Sequence, residues 1–313
     1  MPLSGFSCKR HITNLTIFSY ILQHSVLICY TGSVFDRWCF RFNFTFFHIR
    51  IMSFRRTNLF LLALFLLFLL QAPFSVAAKA AAPDGPSLIA RVNALLNRKS
   101  VFMKNVMTVT DSSGRERKLA YESRGRDYNE KTLICYSAPA RIRGQAILML
   151  NNADDIWMYF ARTGRVRKLA THAKRNSMEG SDFSFEDIGG GNLFVTDYSS
   201  RLEGEEPVNG VACYRLRLTR KPGSSSAYAT LVMRIRKSDC YPLVIEYFKG
   251  AGKTTPDKRL LLSAIVPVQG VPTARRLTML DLRDRSSTVI TVEVVDYKSD
   301  IGAGAFTVQA LNQ

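Results

Sequence analysis

Histidine and cysteine are scarce in this 313-residue chain, which contains four and six of them, respectively. Three of each lie within the first 51 residues, so His172 is the single histidine of the remainder. It lies in a basic segment, THAKRN, and the later cysteines lack the spacing of zinc ligands. Neither a GxSxG motif nor a phosphate-binding glycine loop is present, since Gly189–Gly191 precedes a predicted strand. We therefore predict that the protein is not an enzyme and that it has no catalytic residue, cofactor or metal ion.

Acidic residues are also few, 25 against 43 lysines and arginines, and the formal net charge is +18. Residues 1–78 hold seven of the basic and one of the acidic residues, so residues 79–313 keep a net charge of +12. A basic surface favours anionic partners. The basic run Arg162–Arg175 has little aromatic interleaving and no RNA-binding signature, so nucleic acid is not expected. Peripheral contact with anionic lipid head groups is one prediction, and a charge spread over a solvated surface is the alternative.

The acidic residues that are present do not form a catalytic pair. They occur as neighbours at Asp154–Asp155, Glu186–Asp187 and Glu205–Glu206, and neighbouring positions point about 100° apart on a helix and to opposite faces on a strand. Asp182 and Glu186 would share a helix face. We predict that these two cap the helix and pair with arginines rather than bind a cation. The candidate partners are Arg165, Arg167 and Arg175.

One long hydrophobic run stands out, Leu59–Leu70, and it is shorter than the roughly 20 residues of a transmembrane helix. Two arginines precede it and small residues follow, which is the pattern of a secretory signal peptide. We therefore predict a signal peptide at residues 52–78, starting near Met52, and an exported domain at residues 79–313. Residues 1–51 are predicted to be an upstream extension outside the fold, the alternative being a cytoplasmic arm before a signal anchor.

The exported part is predicted to be mainly strands. Pro86–Arg98 has one apolar stripe and is predicted to be an amphipathic helix. The runs of strand length that follow, with turn signals between them, are Val101–Thr110, Arg117–Asp127, Glu130–Tyr136, Gln145–Leu150, Ile156–Phe160, Leu193–Glu203, Val211–Arg220, Tyr228–Lys237, Leu243–Lys249, Arg259–Val268, Ala274–Arg283 and Ser287–Tyr297.

Several of these runs alternate between apolar and charged residues. Leu216 and Leu218 oppose Arg217, and Ile290, Val292 and Val294 oppose polar neighbours, so one face of the sheet is predicted to be apolar. Such a sheet curls, and one or two helices can cover its concave side. The concavity is either a ligand cavity or an ordinary filled core. Methionines predicted to soften its lining are Met103, Met107, Met149, Met158, Met233 and Met279.

The segment GSDFSFEDI, Gly180–Ile188, interrupts the strands. Asp182 or Ser181 is predicted to cap a short helix that Gly189–Gly191 ends. Elsewhere, Cys213 and Cys240 can either form a disulfide in an oxidising compartment or remain free.

Four blocks of sequence give a resemblance: PAR at Pro139–Arg141, IWMYF at Ile156–Phe160, GRVRKLA at Gly164–Ala170 and MEGSDFSFEDI at Met178–Ile188. In this order they are similar to the bacterial outer-membrane lipoprotein-sorting proteins related to the carrier LolA. The resemblance extends over about residues 87–313. Its motif residues are Arg165, Arg167, Gly180, Ser181, Asp182, Glu186 and Asp187.

The resemblance implies a mainly β (α+β) fold, an unclosed antiparallel β-barrel (half-barrel) of about 11 strands with a short α-helical lid. It implies a periplasmic carrier that holds acyl chains of lipoproteins or lipids for transfer between the inner and outer membranes, commonly with an exporter of the RND type. The alternative is a periplasmic adaptor or sensor that docks on an exporter through its basic surface. A monomer is expected.

The residues predicted to contact lipid lie on the apolar face of the strands and in the interrupting segment. They are Met103, Met107, Leu148, Trp157, Tyr159, Phe183, Phe185, Ile188, Leu216, Leu218, Met233, Ile245, Tyr247, Ile290 and Val292.

Overall fold

The computed structural model describes residues 19–22, 25–29, 39–43 and 83–312. The predicted signal peptide, residues 52–78, lies outside the described residues. The first three strands, β1 (Ser19–Leu22), β2 (Ser25–Cys29) and β3 (Cys39–Asn43), form a small antiparallel sheet of their own in the order β1-β2-β3. The predicted domain boundaries remain predictions.

The part from residue 83 onwards is built on one antiparallel sheet of 13 strands. Its strands are β4 (Ser100–Thr110), β5 (Glu116–Arg126), β6 (Lys131–Ala138), β7 (Ala146–Leu150), β8 (Asp155–Phe160), β9 (Arg165–Lys168), β10 (Tyr198–Glu205), β11 (Cys213–Arg220), β12 (Thr230–Arg236), β13 (Pro242–Phe248), β14 (Lys258–Val268), β15 (Val271–Asp281) and β16 (Ser286–Asp296).

The sheet consists of two meanders joined at its centre, because the last strand, β16, pairs with β4. The strand order is β10-β11-β12-β13-β14-β15-β16-β4-β5-β6-β7-β8-β9, which leaves β9 and β10 as the two edges. These edge strands are consecutive in the chain, so the segment that connects them, residues 169–197, passes from one edge of the open sheet to the other. The predicted unclosed, mainly β fold is confirmed, with 13 strands in place of about 11.

Three α-helices within residues 83–312 accompany the sheet. They are α1 (Gly85–Leu96), α2 (Phe185–Gly189) and α3 (Leu193–Thr196). The predicted helix Pro86–Arg98 is confirmed as α1, which begins where the Asp84 carboxylate accepts a hydrogen bond of 2.7 Å from the Ser87 N–H. A Cβ at Gly85 would lie 2.7 Å from the Ser200 carbonyl oxygen, so a glycine lets the helix start directly against β10.

One predicted strand needs correction, and one strand of the structure was not predicted. The run Leu193–Glu203 was predicted to be one strand, but its first residues form α3 and the strand begins at Tyr198. The strand β9 was missed because RVRK is too short and too polar to show a period.

The predicted alternation is confirmed in β11, where Leu216 and Leu218 are buried and Arg217 is half-buried. It fails at Val294, which is exposed, while Val295 is buried in its place. A β-bulge between Val292 and Val294 shifts the register of β16 against β4, and one extra residue moves each following side chain to the other face.

Apolar side chains are buried on both faces of the sheet. The larger cluster lies on the concave face and includes the buried face of α1, whose members are Leu88, Ile89 and Val92. A smaller cluster lies on the convex face of β6–β9, where the turns Ala303–Phe306 and Gln309–Asn312 cover it with Phe306 and Leu311. The carboxyl-terminal segment therefore gives part of the sheet a second core.

Candidate ligand cavity

A cavity of about 270 Å³ lies between the concave face of the sheet and the helical segments. Leu95 and Leu96 of α1 line it, and so do Ile188, Leu193 and Phe194 of the connecting segment. We call α1 together with residues 185–196 the lid. The sheet residues that line the cavity include Val101, Met103, Asn105, Tyr121, Ser123, Thr132, Leu231, Tyr241, Ile245, Tyr247, Leu260, Leu262, Ala274, Leu277, Ile290, Val292 and Tyr297.

The structure brings together part of the predicted lipid-contacting set on the wall of this cavity. Those that line it are Met103, Ile188, Ile245, Tyr247, Ile290 and Val292. Their lipid contact remains a prediction.

A second part of the set lies in the same core but does not line the cavity. Phe183 and Phe185 were predicted to contact lipid, but neither lines the cavity, and both are buried in the concave cluster. Backbone contacts fix this segment, because the Asp182 N–H donates to Thr288 Oγ1 over 2.9 Å and Lys258 Nζ donates to the Asp182 carbonyl over 2.6 Å. The other residues that are buried in the core away from the cavity are Met107, Leu216, Leu218 and Met233.

The third part, Leu148, Trp157 and Tyr159, belongs to the convex cluster. Their placement on the concave face was wrong because β7 (AILML) is apolar at every position and β8 (DIWMYF) at every position after its first, so alternation cannot assign the faces of these strands. Ile147 and Met149 occupy the concave side instead. Distant residues of the carboxyl-terminal segment cover the convex side here and bury its apolar side chains. The local sequence does not reveal this cover.

The helix α2 of the lid is capped by Ser184, not by the predicted Asp182 or Ser181. Ser184 Oγ accepts from the Asp187 N–H over 3.1 Å and the Asp187 carboxylate accepts from the Ser184 N–H over 2.8 Å, which is a reciprocal capping box. The helix ends at Gly189, as expected from the glycine run.

The predicted pairing of Asp182 and Glu186 with arginines is also wrong. Asp182 precedes the helix, and its carboxylate accepts from the hydroxyls of Ser286 and Thr288. The exposed residues Arg165 and Arg167 form no ion pair with a described carboxylate.

An arginine does support the motif at Gly180. Arg117 Nη2 donates to the carbonyl oxygens of Glu179 and Gly180, each at 2.6 Å. Gly180 has φ +64°, and a Cβ there would lie 2.8 Å from the Arg117 guanidinium. The left-handed backbone conformation therefore favours glycine, and a side chain there would also displace the Arg117 guanidinium.

A buried acidic group lines one side of the cavity. The Glu186 carboxylate accepts from Ser226 Oγ and from the Ala227 N–H at 3.0 Å, and the Tyr198 hydroxyl lies 2.7 Å from Ser226 Oγ. Burial raises the pKa of Glu186, and these hydrogen bonds oppose the rise. The fold therefore favours the neutral form of Glu186 relative to the unfolded chain.

Glu186→Gln should alter how stability depends on pH. Because the pKa of Glu186 is raised in the fold, its contribution is most favourable below its unfolded pKa of about 4.3 and is lost as the pH rises through the folded pKa. The Tm of the variant minus the Tm of the wild type should therefore increase as the pH is raised from 4.5 to 8. For a domain of this size, a change of 1 kcal/mol in stability shifts the Tm by about 2–4 °C. Glu116→Gln, an exposed site, is the control. A Tm difference that stays constant with pH would contradict the prediction.

Several cavity residues were missed by the sequence analysis because they are polar residues within apolar strands or lie in turns. Asn97 Nδ2 donates to the Gly191 carbonyl over 2.7 Å, and Asn129 Nδ2 donates to Asn97 Oδ1 over 2.9 Å. These bonds join the end of α1, the β5–β6 turn and the glycine run. Asparagine at a helix C-cap is a local signal that could have identified Asn97.

A second, more polar groove of about 430 Å³ lies beside the edge strand β9. Its basic residues are Arg141, Arg162, Arg165 and Arg167, which are all exposed. None of them forms an ion pair within residues 83–312, whereas carboxylates such as Glu203 and Glu206 pair with arginines on β11 and β12.

Within the described residues, no group of three His, Cys, Asp or Glu side chains is arranged to hold a metal ion. Cys135, Cys213 and Cys240 are free thiols. No helix in this part of the chain combines the length and the apolar character needed to cross a membrane.

Comparison with known proteins agrees with this architecture. A family model described as "-like: Uncharacterized protein" matches residues 128–313, more than half of the chain. The chain belongs to this family, and its fold is LolA-like. The resemblance predicted from the sequence motifs is confirmed. The chain matches none of the curated proteins.

Solved structures with this LolA-like fold cover most of the domain. A DUF1329 family protein from Desulfovibrio piger is 26% identical, with a TM-score of 0.66 over 72% of this chain and 97% of its own. A putative outer membrane lipoprotein-sorting protein domain from Vibrio parahaemolyticus is 18% identical, with a TM-score of 0.66. The match covers 73% of this chain and 98% of the Vibrio chain. A LolA superfamily protein from Nitrosomonas europaea is 22% identical, with a TM-score of 0.62. The match covers 73% of this chain and 100% of the Nitrosomonas chain.

Proposed function

We propose that this protein is a periplasmic carrier that holds an acyl chain of a lipoprotein or lipid and transfers it between the inner and outer membranes. The observation that carries the proposal is the apolar cavity between the concave sheet and the lid. The lipoprotein-sorting description of a structural neighbour from Vibrio parahaemolyticus supports it. Burial of each CH₂ group contributes about 0.8 kcal/mol, so a short length of acyl chain is sufficient for binding.

The size of the cavity bears on how much cargo it holds. At about 270 Å³ it is slightly smaller than typical ligand pockets of about 300–1,000 Å³. With the lid closed, the cavity is suited to one acyl segment rather than to several chains. Larger cargo would require the lid to move.

The lid is built in a way that suits such movement. It includes a large part of the connection between the two edges of the sheet, and Leu193 and Phe194 are only half-buried. The hydrogen bonds that hold its end come from side chains, namely Asn97 Nδ2 to the Gly191 carbonyl over 2.7 Å and the Lys221 ammonium group to the Val195 and Thr196 carbonyls. We infer that release of the cargo follows displacement of residues 190–196, which are half-buried or exposed.

The proposal predicts that filling the cavity blocks binding. Leu277→Trp places a larger side chain in the wall and should lower the affinity for a pyrene-labelled monoacylglycerol at least tenfold, measured by fluorescence titration. Overpacking should cost about 1–3 kcal/mol of stability, so binding is measured well below the Tm. Leu282→Trp is the control, because Leu282 is exposed and lies outside the cavity.

Two results would overturn the carrier proposal. One is an absence of lipid in mass spectra of the protein purified from a bacterial periplasm together with no uptake of the labelled monoacylglycerol. The other is equal binding by the wild type and Leu277→Trp, which would place the probe outside the cavity.

The second candidate is a periplasmic adaptor or sensor. The groove with Arg141, Arg162, Arg165 and Arg167 favours it, since four exposed guanidinium groups without carboxylate partners suit an acidic protein surface or anionic lipid head groups. An RND-type exporter is a candidate partner for either function. Docking through this groove without uptake of lipid would favour the adaptor.

A further inference from the structure

We propose that the cavity contains a hydrogen-bonding subsite on β4–β6 that binds the carbonyl group of an ester or amide linkage in the bound lipid. This inference rests on the carrier proposal and extends it to the chemistry of the cargo. The subsite consists of Asn105, Ser123 and Thr132, all of which line the cavity.

The three side chains form a diagonal across neighbouring strands. Asn105 on β4 pairs with Tyr121, two residues from Ser123 on β5. Ser123 in turn pairs with Ile134, two residues from Thr132 on β6. Diagonal positions of this kind share one face and lie about 7–8 Å apart or less. The sheet register therefore places three polar groups in one line on an otherwise apolar surface.

Thr132 is the member that points to a ligand. Its side chain is only 6% exposed, and Oγ1 has no hydrogen-bond partner in the part of the chain that the structure describes. A buried hydroxyl without a partner destabilises the fold, because it has lost its hydrogen bonds to water and gained none in return. An acceptor from a molecule in the cavity would remove this cost, and a valine of the same shape would avoid it altogether.

The other two members are already connected to each other. Asn105, at 4% exposed, donates from Nδ2 to Ser123 Oγ over 3.1 Å. Because Ser123 Oγ accepts this bond, its own hydrogen is available to donate. The subsite thus offers hydroxyl donors at two neighbouring positions, which suits the two lone pairs of a carbonyl oxygen.

The charges around the cavity select a neutral linkage. Arg124 also borders it, but its guanidinium is paired with Glu122 at 2.9 Å and lies 5.5 Å from the centre of the Phe102 ring, away from the subsite. Glu186 and Asp187 line the lid side of the cavity, and these acidic side chains supply no positive charge for an anionic head group. A free carboxylate or phosphate is therefore a poorer ligand for this subsite than an ester or amide.

The test compares two ligands with the same chain, a monoacylglycerol and the corresponding alkyl glycerol ether, which lacks the carbonyl group. Hydrogen bonds contribute about 0.5–1.5 kcal/mol each, so the wild type should bind the ester about 3–10-fold more tightly than the ether. The double variant Ser123→Ala/Thr132→Val should lose this preference and keep its affinity for the ether. Thr291→Val, an exposed threonine on β16, should leave both affinities unchanged.

A second measurement, thermal unfolding without ligand, tests the subsite without relying on binding. Without ligand, Thr132→Val should have a Tm equal to or higher than that of the wild type, because the unpaired hydroxyl is gone. Equal affinity of the wild type for ester and ether, or an equal loss for both ligands in the double variant, would overturn the subsite but leave the carrier proposal standing. If the wild type binds neither ligand, both proposals fail.

Discussion

Phe183→Ala should destabilise the domain by about 3–5 kcal/mol, the range measured for the removal of a large buried aromatic side chain. Phe183 is 1% exposed within the concave cluster, and the preceding residue is held by its backbone, since the Asp182 N–H donates to Thr288 and the Asp182 carbonyl accepts from Lys258. Because that backbone is held in place, the surroundings cannot collapse into the space, and a cavity term adds to the lost burial.

Phe194→Ala is the matched variant, because Phe194 is half-buried and lines the ligand cavity. It should cost less than about 1.5 kcal/mol and mainly weaken the binding of a labelled monoacylglycerol. Urea unfolding and fluorescence titration of both variants separate the two effects. Near-native stability of Phe183→Ala combined with a loss of binding would contradict this prediction and indicate that Phe183 contacts the ligand.

Asp154→Ala should cost up to about 3–5 kcal/mol, because it removes the ion-pair partner of the buried Lys174 ammonium group. Lys174 is 1% exposed, and its Nζ donates to Asp154 Oδ1 over 2.6 Å and to Ser225 Oγ over 2.7 Å. The Asp154 side chain is 50% exposed. The two partners of this ion pair therefore have very different access to water.

Lys174→Met should cost no more than about 1 kcal/mol, although it removes the same ion pair. An unbranched apolar chain fills the volume of the lysine stem, and the remaining carboxylate is solvated. The double variant Asp154→Ala/Lys174→Met should recover most of the stability lost in Asp154→Ala, as measured by urea unfolding at pH 7. A larger cost for Lys174→Met than for Asp154→Ala would contradict this account.

The elements that could be predicted from the sequence are those controlled by neighbouring residues. The stripe of α1 and the alternation in β11 depend on periods of about 3.6 and 2 residues, and both are present in the structure. The same logic placed Ile290 and Val292 on the concave face, where they line the cavity. It failed at Val294, since the sequence does not reveal a bulge.

The candidate site could be predicted only in part, because lining a cavity depends on what covers each face. Leu148, Trp157 and Tyr159 pack on the convex side because Phe306 and Leu311, far along the chain, cover it. Thr132 and Asn105 look like ordinary polar positions in a sequence, and only the strand register brings them together with Ser123.

The segment GSDFSFEDI shows most directly which features are set by the local sequence and which by tertiary packing. By itself, the sequence determined that a short capped helix, ended by glycines, interrupts the strands, because capping and glycine conformation are local properties. Only the tertiary structure decided that Ser184 is the cap and that Phe183 and Phe185 fill the core while Ile188 faces the cavity. The direction of a side chain from an irregular segment is set by the surfaces that it packs against, and these come from strands up to about a hundred residues away.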